Sequence, residues 1–512
     1  MTSEIESINE KGTWVLVPRP KDRQVITNKW VLRRKLNPDR TLHRHKARLV
    51  ARGFNQVAGI DFHETFSPIL IITSLRATLS IAAQFNFYIH QIDIKTAFLN
   101  GDLDEPIYME QPKYFIDENY PNYVCLLKKT LYGLKQSPRI WYYRLHHFLI
   151  KKGYKRLRSD PNLYTRHDTN NLLILAVYVD DILIISNTDS HIELAKQELA
   201  STFSITDGGP LHYMLGIEFN LQGNSIQLCQ RKFTEDILNK YNFIDVKPSP
   251  IPAIPNLSLS FNMAPQNPIE IEEMKTIPYR EMLGSLRYLV SCTRPDLCYI
   301  TGYLSRFMQN PGKAHWEALI QVFRYLKATS TLGLTYKHQN GNTLQGWCDA
   351  DYNGDKDTRH STSGYVFTIA GGAISWKSKK QNTVALSSTE AEFIAAAYAA
   401  KEGVWLQRLL YELIDHPLKV TYYLSPKFTL EIDNQSCITL LKAPKHHENT
   451  KHIDYKYFYV KEMVEGTKED PPILVINYTP TTKQVADFLT KALPKTKFQF
   501  CANQIGMVHI NR

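Results

Sequence analysis

A chain of 512 residues, 43% apolar and 22% charged, is long enough for several domains that each bury a core, which excludes a disordered tail or a fibrous repeat. The formal net charge of +11 points to an anionic partner. Seven cysteines with no CxxC pair suit reduced intracellular thiols better than a disulfide framework; the longest apolar run, around residues 172–186, is too short to cross a bilayer, so no membrane partner is expected.

In chain order, the opening MTSEIESINE is acidic and polar and is not a signal peptide. From Lys11 to Arg52, thirteen Lys and Arg stand against two acids, Asp22 and Asp39, with Trp14, Trp30 and Phe54 interleaved. That clustering suits phosphate contact better than an ordinary solvated face. The stretch HQIDIKTAFLNGDLDEPIYMEQP at 90–112 places Asp93 in an alternating, strand-like QIDI. At 176–186, AVYVDDILIIS interrupts an apolar run with Asp180 and Asp181. Neighbouring side chains on a strand point to opposite faces, so the two carboxylates converge only if the chain turns there. A β-hairpin with Val-Asp-Asp at its tip is therefore expected. An incidental surface turn is the plain alternative, but the flanks are too apolar for an exposed loop. Asp93 is the third carboxylate if its strand neighbours the hairpin; taken alone it reads equally well as a strand-end turn residue. Together Asp93, Asp180 and Asp181 could hold two divalent metals, with Mg²⁺ suited to carboxylate and phosphate oxygens and Mn²⁺ the other candidate.

Residues 247–278 hold seven prolines and read as an extended linker. Residues 279–330 carry apolar side chains at helical spacing, and from about 344 the pattern turns to strands, an Ala-rich helix at 389–414, and further strand and helix. GWCDADYNGDKDTRHSTSGYVF (346–367) places Asp349 and Asp351 at a strand end. In SSTEAEFIAAAYAA (387–400), Ser387 with Glu390 or Thr389 with Glu392 has capping-box spacing, and one cap suffices, so one Glu is left free. LEIDNQSCITLL (430–441) puts Asp433 between a strand and a helix, where an N-cap is the plain reading. VINYTPTTKQVADFLTKAL (475–493) puts Asp487 near the start of another helix.

IDIKTAFLNGDL on a strand, followed by YVDD on a hairpin, resembles the reverse transcriptase of copia-type (Pseudoviridae) LTR retrotransposons. The likeness runs through KGTWVLVPRP (11–20), NKWVLRRKLNPD (28–39), HKARLVARGFNQVAGIDFHETFSP (45–68), LYGLKQSPRIWYYRL (131–145) and LGIEF (215–219). It continues through LGSLRYL and TRPDLCY nearly to the C-terminus. The resemblance implies Asp93 and Asp180 as principal metal ligands with Asp181 as the paired carboxylate. It implies Lys46 and Arg48 as fingers residues that bind the incoming triphosphate, where cations offset charge on the transferred phosphoryl group. Phe98 would block a ribose 2′-OH, and Gln136, Ser137 and Pro138 would support the template strand and the nucleotide pocket.

The order strand-Asp, helix-Glu, strand-Asp, helix-Asp resembles ribonuclease H. It implies Asp349, Glu392, Asp433 and Asp487 as the carboxylates of a second two-metal site. Glu392 is chosen over Glu390 because AEFIA matches the Ala-Glu-hydrophobic helix start; Asp349 is preferred to Asp351, which stays open. The loop TPTTKQ lacks the His that some relatives place before the last Asp. His446, His447 and His452 lie upstream without cysteines at zinc spacing and read as surface or hybrid-contacting residues.

The expected architecture is an α+β polymerase right hand of fingers, palm and thumb with an antiparallel palm sheet, then a helical connection and a C-terminal α/β ribonuclease H-like domain on a five-stranded sheet. The expected boundaries are 11–246 for fingers and palm, 247–278 for the linker, 279–343 for thumb and connection helices, 344–495 for the ribonuclease H-like domain and 496–512 for a tail. The expected activity is RNA-directed DNA synthesis with cleavage of RNA in RNA–DNA hybrids. Its partners would be an RNA template, a DNA or tRNA primer, the hybrid and dNTPs, and its place a cytoplasmic virus-like particle or the nucleus. The alternative is an inactive transposon-derived fragment that only binds nucleic acid, which the seven intact carboxylates with Lys46 and Arg48 disfavour. An integrase-type nuclease is disfavoured because Glu392 precedes Asp433 and no His-Cys zinc module comes first. No CCHC knuckle, aspartic protease or integrase is visible, so the chain reads as a processed product or as the reading frame of a truncated copy.

Overall fold

The computed structural model describes residues 1–36, 42–168, 171–339, 341, 343–414, 424–442, 454–467 and 471–510; His446, His447 and His452 lie outside them. The chain forms two units of mixed α/β structure, Met1–Leu70 with Ile89–Pro210, and Ile71–Tyr88 with Leu211–Arg512.

The first unit is built round the Asp-Asp stretch. Strands Asn171–Tyr178 and Asp181–Ser186 pair antiparallel from Leu173 opposite Ser186 to Tyr178 opposite Asp181, which leaves Val179 and Asp180 as a two-residue tip. They lie inside a six-stranded sheet ordered Ile205–Pro210, Tyr88–Ile94, Asp181–Ser186, Asn171–Tyr178, Leu163–Asp168 and Lys155–Arg156. Helices Ser137–Lys151 and Asp189–Ala200 pack on it through Trp141, Leu145, Ile192 and Leu199, which meet Ile92, Ile94, Leu175 and Ile184 in one buried cluster. Leucine and β-branched side chains fill these central strands because they are covered rather than half-solvated. A second sheet of four strands lies beside a long hairpin, Asn28–Leu36 with Leu42–Ala51, in which Arg33 stands opposite Lys46. Helix Thr2–Glu10 is pinned there by Ile8, buried with Leu49 and Ala51.

The second unit takes in helix Ile72–Phe85, nearly all of which is buried. Its Arg76 guanidinium donates to the carbonyls of Ile374 (2.7 Å), Ser291 (2.6 Å) and Cys292 (2.9 Å), and lies 3.8 Å from the Trp376 ring centroid. Helices Tyr279–Cys292, Cys298–Ser305 and Lys313–Ala328 occupy the region of helical spacing. The proline-rich stretch differs from an extended linker. Leu259 exchanges backbone hydrogen bonds with the buried Tyr303 hydroxyl, and Pro268–Lys275 is a helix capped by Asn267, with proline in the first turn where its missing N–H costs nothing. Two five-stranded sheets complete the unit. One carries strand Met507–His509 beside Leu332–Lys337. The other runs Gly372–Lys380, Thr362–Ile369, Gln345–Asp351, Phe428–Ile432, Leu474–Tyr478, antiparallel over the first three strands and parallel over the last three.

Helix Ser388–Ile414 approaches that sheet closely because its contact residues are small. Ala391 and Ala395 cluster with Ala350 and Ala385, and a Cβ added at Gly403 would lie 2.4 Å from the Phe428 ring. This proximity carries Glu392 to the strand that bears Asp349.

Candidate active sites

Asp93 projects from strand Tyr88–Ile94 on the face opposite Ile92 and Ile94, as its alternation requires. The backbone N–H of Ile94 donates to the carbonyl of Asp180 across 2.8 Å, which brings the end of that strand to the hairpin tip. Burial pushes the Asp180 carboxyl up, the Asp93 charge adds to this, and Arg48 and Lys46 pull it down, so all four groups share one electrostatic neighbourhood. Asp181 opens the returning strand. Between Tyr178 and Asp180, Val179 sits at φ 59, a left-handed conformation that a β-branched residue rarely adopts. The Trp141 indole N–H donates to the Val179 carbonyl at 2.8 Å and holds the tip in that shape.

Lys46 and Arg48 occupy alternate positions of strand Leu42–Ala51, and the Arg48 guanidinium lies 5.1 Å from the Tyr132 ring centroid. Phe98 follows the left-handed Thr96 and meets Tyr132 edge-on with centroids 5.0 Å apart. Tyr132 is thus the floor between the two, and burial pushes its hydroxyl up to about 12. Sequence reasoning passed over Tyr132, although its place in LYGLKQSPR among assigned residues was a signal. Gln136 is buried, and its amide is engaged at both ends, accepting from Gln56 Nε2 at 3.0 Å and donating to the Asp61 carbonyl at 2.9 Å. It holds the segment around 56–61 in place. Ser137 Oγ donates to the Leu131 carbonyl at 2.7 Å, and Pro138 stands in the first turn of its helix.

In the second unit, carboxylate oxygens of Asp349, Glu392 and Asp433 lie within 4.8 Å of one another. Asp349 is 2% exposed and Glu392 6%. Burial pushes Glu392 well up, and the charges of Asp349 and Asp433 add to it. Glu392 Oε2 is buried with no hydrogen-bond partner. Three converging carboxylates with an orphaned oxygen are a hard-donor set that fits a divalent cation such as Mg²⁺ or Mn²⁺. The cap is made by Glu390: its backbone N–H donates to Ser387 Oγ, and its side chain accepts from the Leu386 N–H at 2.7 Å. Glu392 is left to the cluster. The aspartate that joins the cluster is Asp349; burial pushes Asp351 up to about 6, with Lys491 opposing.

Asp487 is buried in the turn Ala486–Leu489 and reaches the site through a lysine. Lys491 Nζ lies 2.8 Å from Asp487 and 3.5 Å from Asp349, and Lys497 Nζ lies 3.2 Å from Asp487. Thr490 also donates to Asp349. Neither lysine was singled out from sequence, though Lys491 stands four residues after Asp487. Another group with metal-binding potential, His90, Asp189 and Glu193 in the first unit, is already served by the Lys196 ammonium, 2.8 Å from His90 Nδ1 and 2.7 Å from Glu193.

Residues 11–255 match the family model described as reverse transcriptase (RNA-dependent DNA polymerase). The chain is 43% identical over 99% of its length to the retrovirus-related Pol polyprotein from transposon TNT 1-94 of Nicotiana tabacum, spanning 37% of that protein. It is 33% identical, over 61% of its own length, to all of the putative transposon Ty5-1 protein of Saccharomyces cerevisiae. The chain belongs to the Pol family of copia-type retrotransposons. Within that family it spans about a third of the length of the full plant polyproteins it matches, 37% for the tobacco relative and 34% for transposon RE1 of Arabidopsis thaliana. A solved foamy viral protease–reverse transcriptase in complex with double-stranded DNA resembles this copia-type chain at a TM-score of 0.48 and 13% identity, over 94% of this chain and 69% of that one.

Proposed function

We propose that this copia-type chain is an RNA-directed DNA polymerase with a second site, of ribonuclease H type, that cleaves RNA in RNA–DNA hybrids. The observation that carries the reading is the convergence of Asp93 and Asp180 at the hairpin tip, within electrostatic reach of Lys46 and Arg48. Two Mg²⁺ or Mn²⁺ ions held by Asp93, Asp180 and Asp181 would supply charge neutralisation as a primer 3′-oxygen displaces pyrophosphate from a dNTP. Lys46 and Arg48 bind the triphosphate and steady its developing charge. Tyr132, flanked by Arg48 and Phe98, walls the sugar, and Phe98 is the group that a ribose 2′-OH would strike. Gln136 holds the adjoining segment and from there would support the template strand and the nucleotide pocket.

At the second site, Asp349, Glu392 and Asp433 would hold a divalent cation, with Asp487 acting from behind Lys491. Substrate selection there rests on hybrid shape and 2′-hydroxyls rather than on sequence. The partners are an RNA template, a DNA or tRNA primer, the hybrid and dNTPs, and the site of action is a virus-like particle in the cytoplasm or the nucleus. The test is primer extension by the full chain on an RNA template with Mg²⁺. Extension supports the reading. Binding of primed template with no incorporation would replace it with that of a non-catalytic nucleic-acid-binding protein.

A further inference from the structure

We infer that Glu4 is a resident counter-ion of the nucleotide pocket, which competes with an incoming triphosphate for Lys46 and Arg48. The inference rests on the polymerase reading above, because it takes those two cations as the triphosphate's partners.

Glu4 lies in the first turn of helix Thr2–Glu10, whose Ile8 is locked into the core beside Leu49. That anchoring turns Glu4 inward, where it is 9% exposed although glutamate is normally solvated. Burial pushes the Glu4 carboxyl up, and the Leu49 backbone N–H together with Lys46 and Arg48, which precede Leu49 on the same strand, oppose that rise. Two polar atoms at this spot are buried with no hydrogen-bond partner: Glu4 Oε1 and Arg48 Nε. The carboxylate and the guanidinium therefore interact through space without the fixed geometry of a salt bridge. That is how an anion sits near a site it does not complete.

The hairpin explains why such an anion is useful. Arg33 stands directly opposite Lys46, and like charges across a strand pair repel. Met1, Arg33, Arg34, His45 and Lys46 line one open cleft of about 500 Å³, so the start of the acidic helix and this basic array share a wall. With no phosphate present, a buried carboxylate beside the array relieves its self-repulsion. When a triphosphate arrives, the same carboxylate repels it. Arg48 also faces the Tyr132 ring, with the guanidinium 5.1 Å from its centroid, so the cation beside Glu4 is the one that borders the rest of the pocket.

The test is the dNTP KM and kcat of the full chain on primed RNA with Mg²⁺, for the wild type, Glu4→Gln, Glu4→Met and Glu6→Gln. Gln keeps the acceptor for Leu49, Met fills the volume without charge, and Glu6 is an exposed acid on the same helix. The expected result is a KM lowered about 3- to 10-fold in both Glu4 variants, with the change confined to KM, and no change for Glu6→Gln. An unchanged or raised KM in the Glu4 variants overturns the inference. Lys46→Ala and Arg48→Ala separate the two layers. If they leave KM unaltered, the triphosphate assignment itself fails; if they raise it and the Glu4 variants do not lower it, only the counter-ion role is lost.

Discussion

The N–H of Ile94 donates to the carbonyl of Asp180 across 2.8 Å, so two segments 86 residues apart in sequence meet at one backbone hydrogen bond. Neither carboxylate needs a special conformation of its own to meet the other. The strand carrying Asp93 ends where the tip carrying Asp180 turns, and the apolar flanks of both bury beneath the same helices.

The tip's shape depends on Trp141. Trp141→Phe removes the donor to the half-buried Val179 carbonyl and leaves it without that partner, a cost of about 1 kcal/mol. Val179→Gly accepts φ 59 without strain and is expected to leave the melting temperature nearly unchanged, local relief offsetting lost packing. Thermal denaturation of both variants checks the pair of outcomes; a Trp141→Phe protein as stable as wild type would contradict the role of that bond.

Helix Ile72–Phe85 is part of the second unit, and Arg76 ties it there. Arg76→Met abandons three carbonyls and is expected to destabilise that unit by about 3–5 kcal/mol. A fragment 211–512 should be poorly folded alone and should gain structure when a peptide of residues 71–88 is added. Circular dichroism of the fragment with and without peptide is the check.

The second site should be separable in activity. Asp433→Asn is expected to abolish hydrolysis of RNA in a labelled hybrid while primer extension continues at the wild-type rate. Simultaneous loss of both activities would argue against two independent sites.

Asp355 gives a pH prediction with a definite sign. Burial raises its pKa, but Lys380, the Thr358 N–H and Arg306 outweigh that and hold it below the usual 3.8. A depressed carboxylate contributes stability that is present above the unfolded value and lost as pH falls through the folded value. Asp355→Asn should therefore lower stability by about 1–3 kcal/mol at pH 7, with the deficit to wild type closing below pH 3.8. A deficit that persisted unchanged at pH 2 would contradict the ion-pair account.

Much of the first site was legible because it is local. An apolar run broken by adjacent aspartates requires a turn, and QIDI states which face Asp93 takes. The capping-box spacing said only that one of Glu390 and Glu392 was free; the family likeness chose Glu392, and the structure puts Glu390 in the cap. What was not legible depends on distant partners. Tyr132 gains its place only when Arg48 and Phe98 arrive from separate elements. Helix Ile72–Phe85 reads as an ordinary apolar helix, and nothing in ITSLRATLSIAAQF says that Arg76 will find its acceptors more than 200 residues away. The seven prolines of 247–278 suggested extension, yet one of them simply opens a helical turn.

The most direct test of the central claim is primer extension by Asp180→Asn on an RNA template with Mg²⁺, measured beside its affinity for primed template. The account predicts incorporation reduced by at least about 10³-fold with template affinity within a few-fold of wild type. Incorporation near the wild-type rate would contradict it.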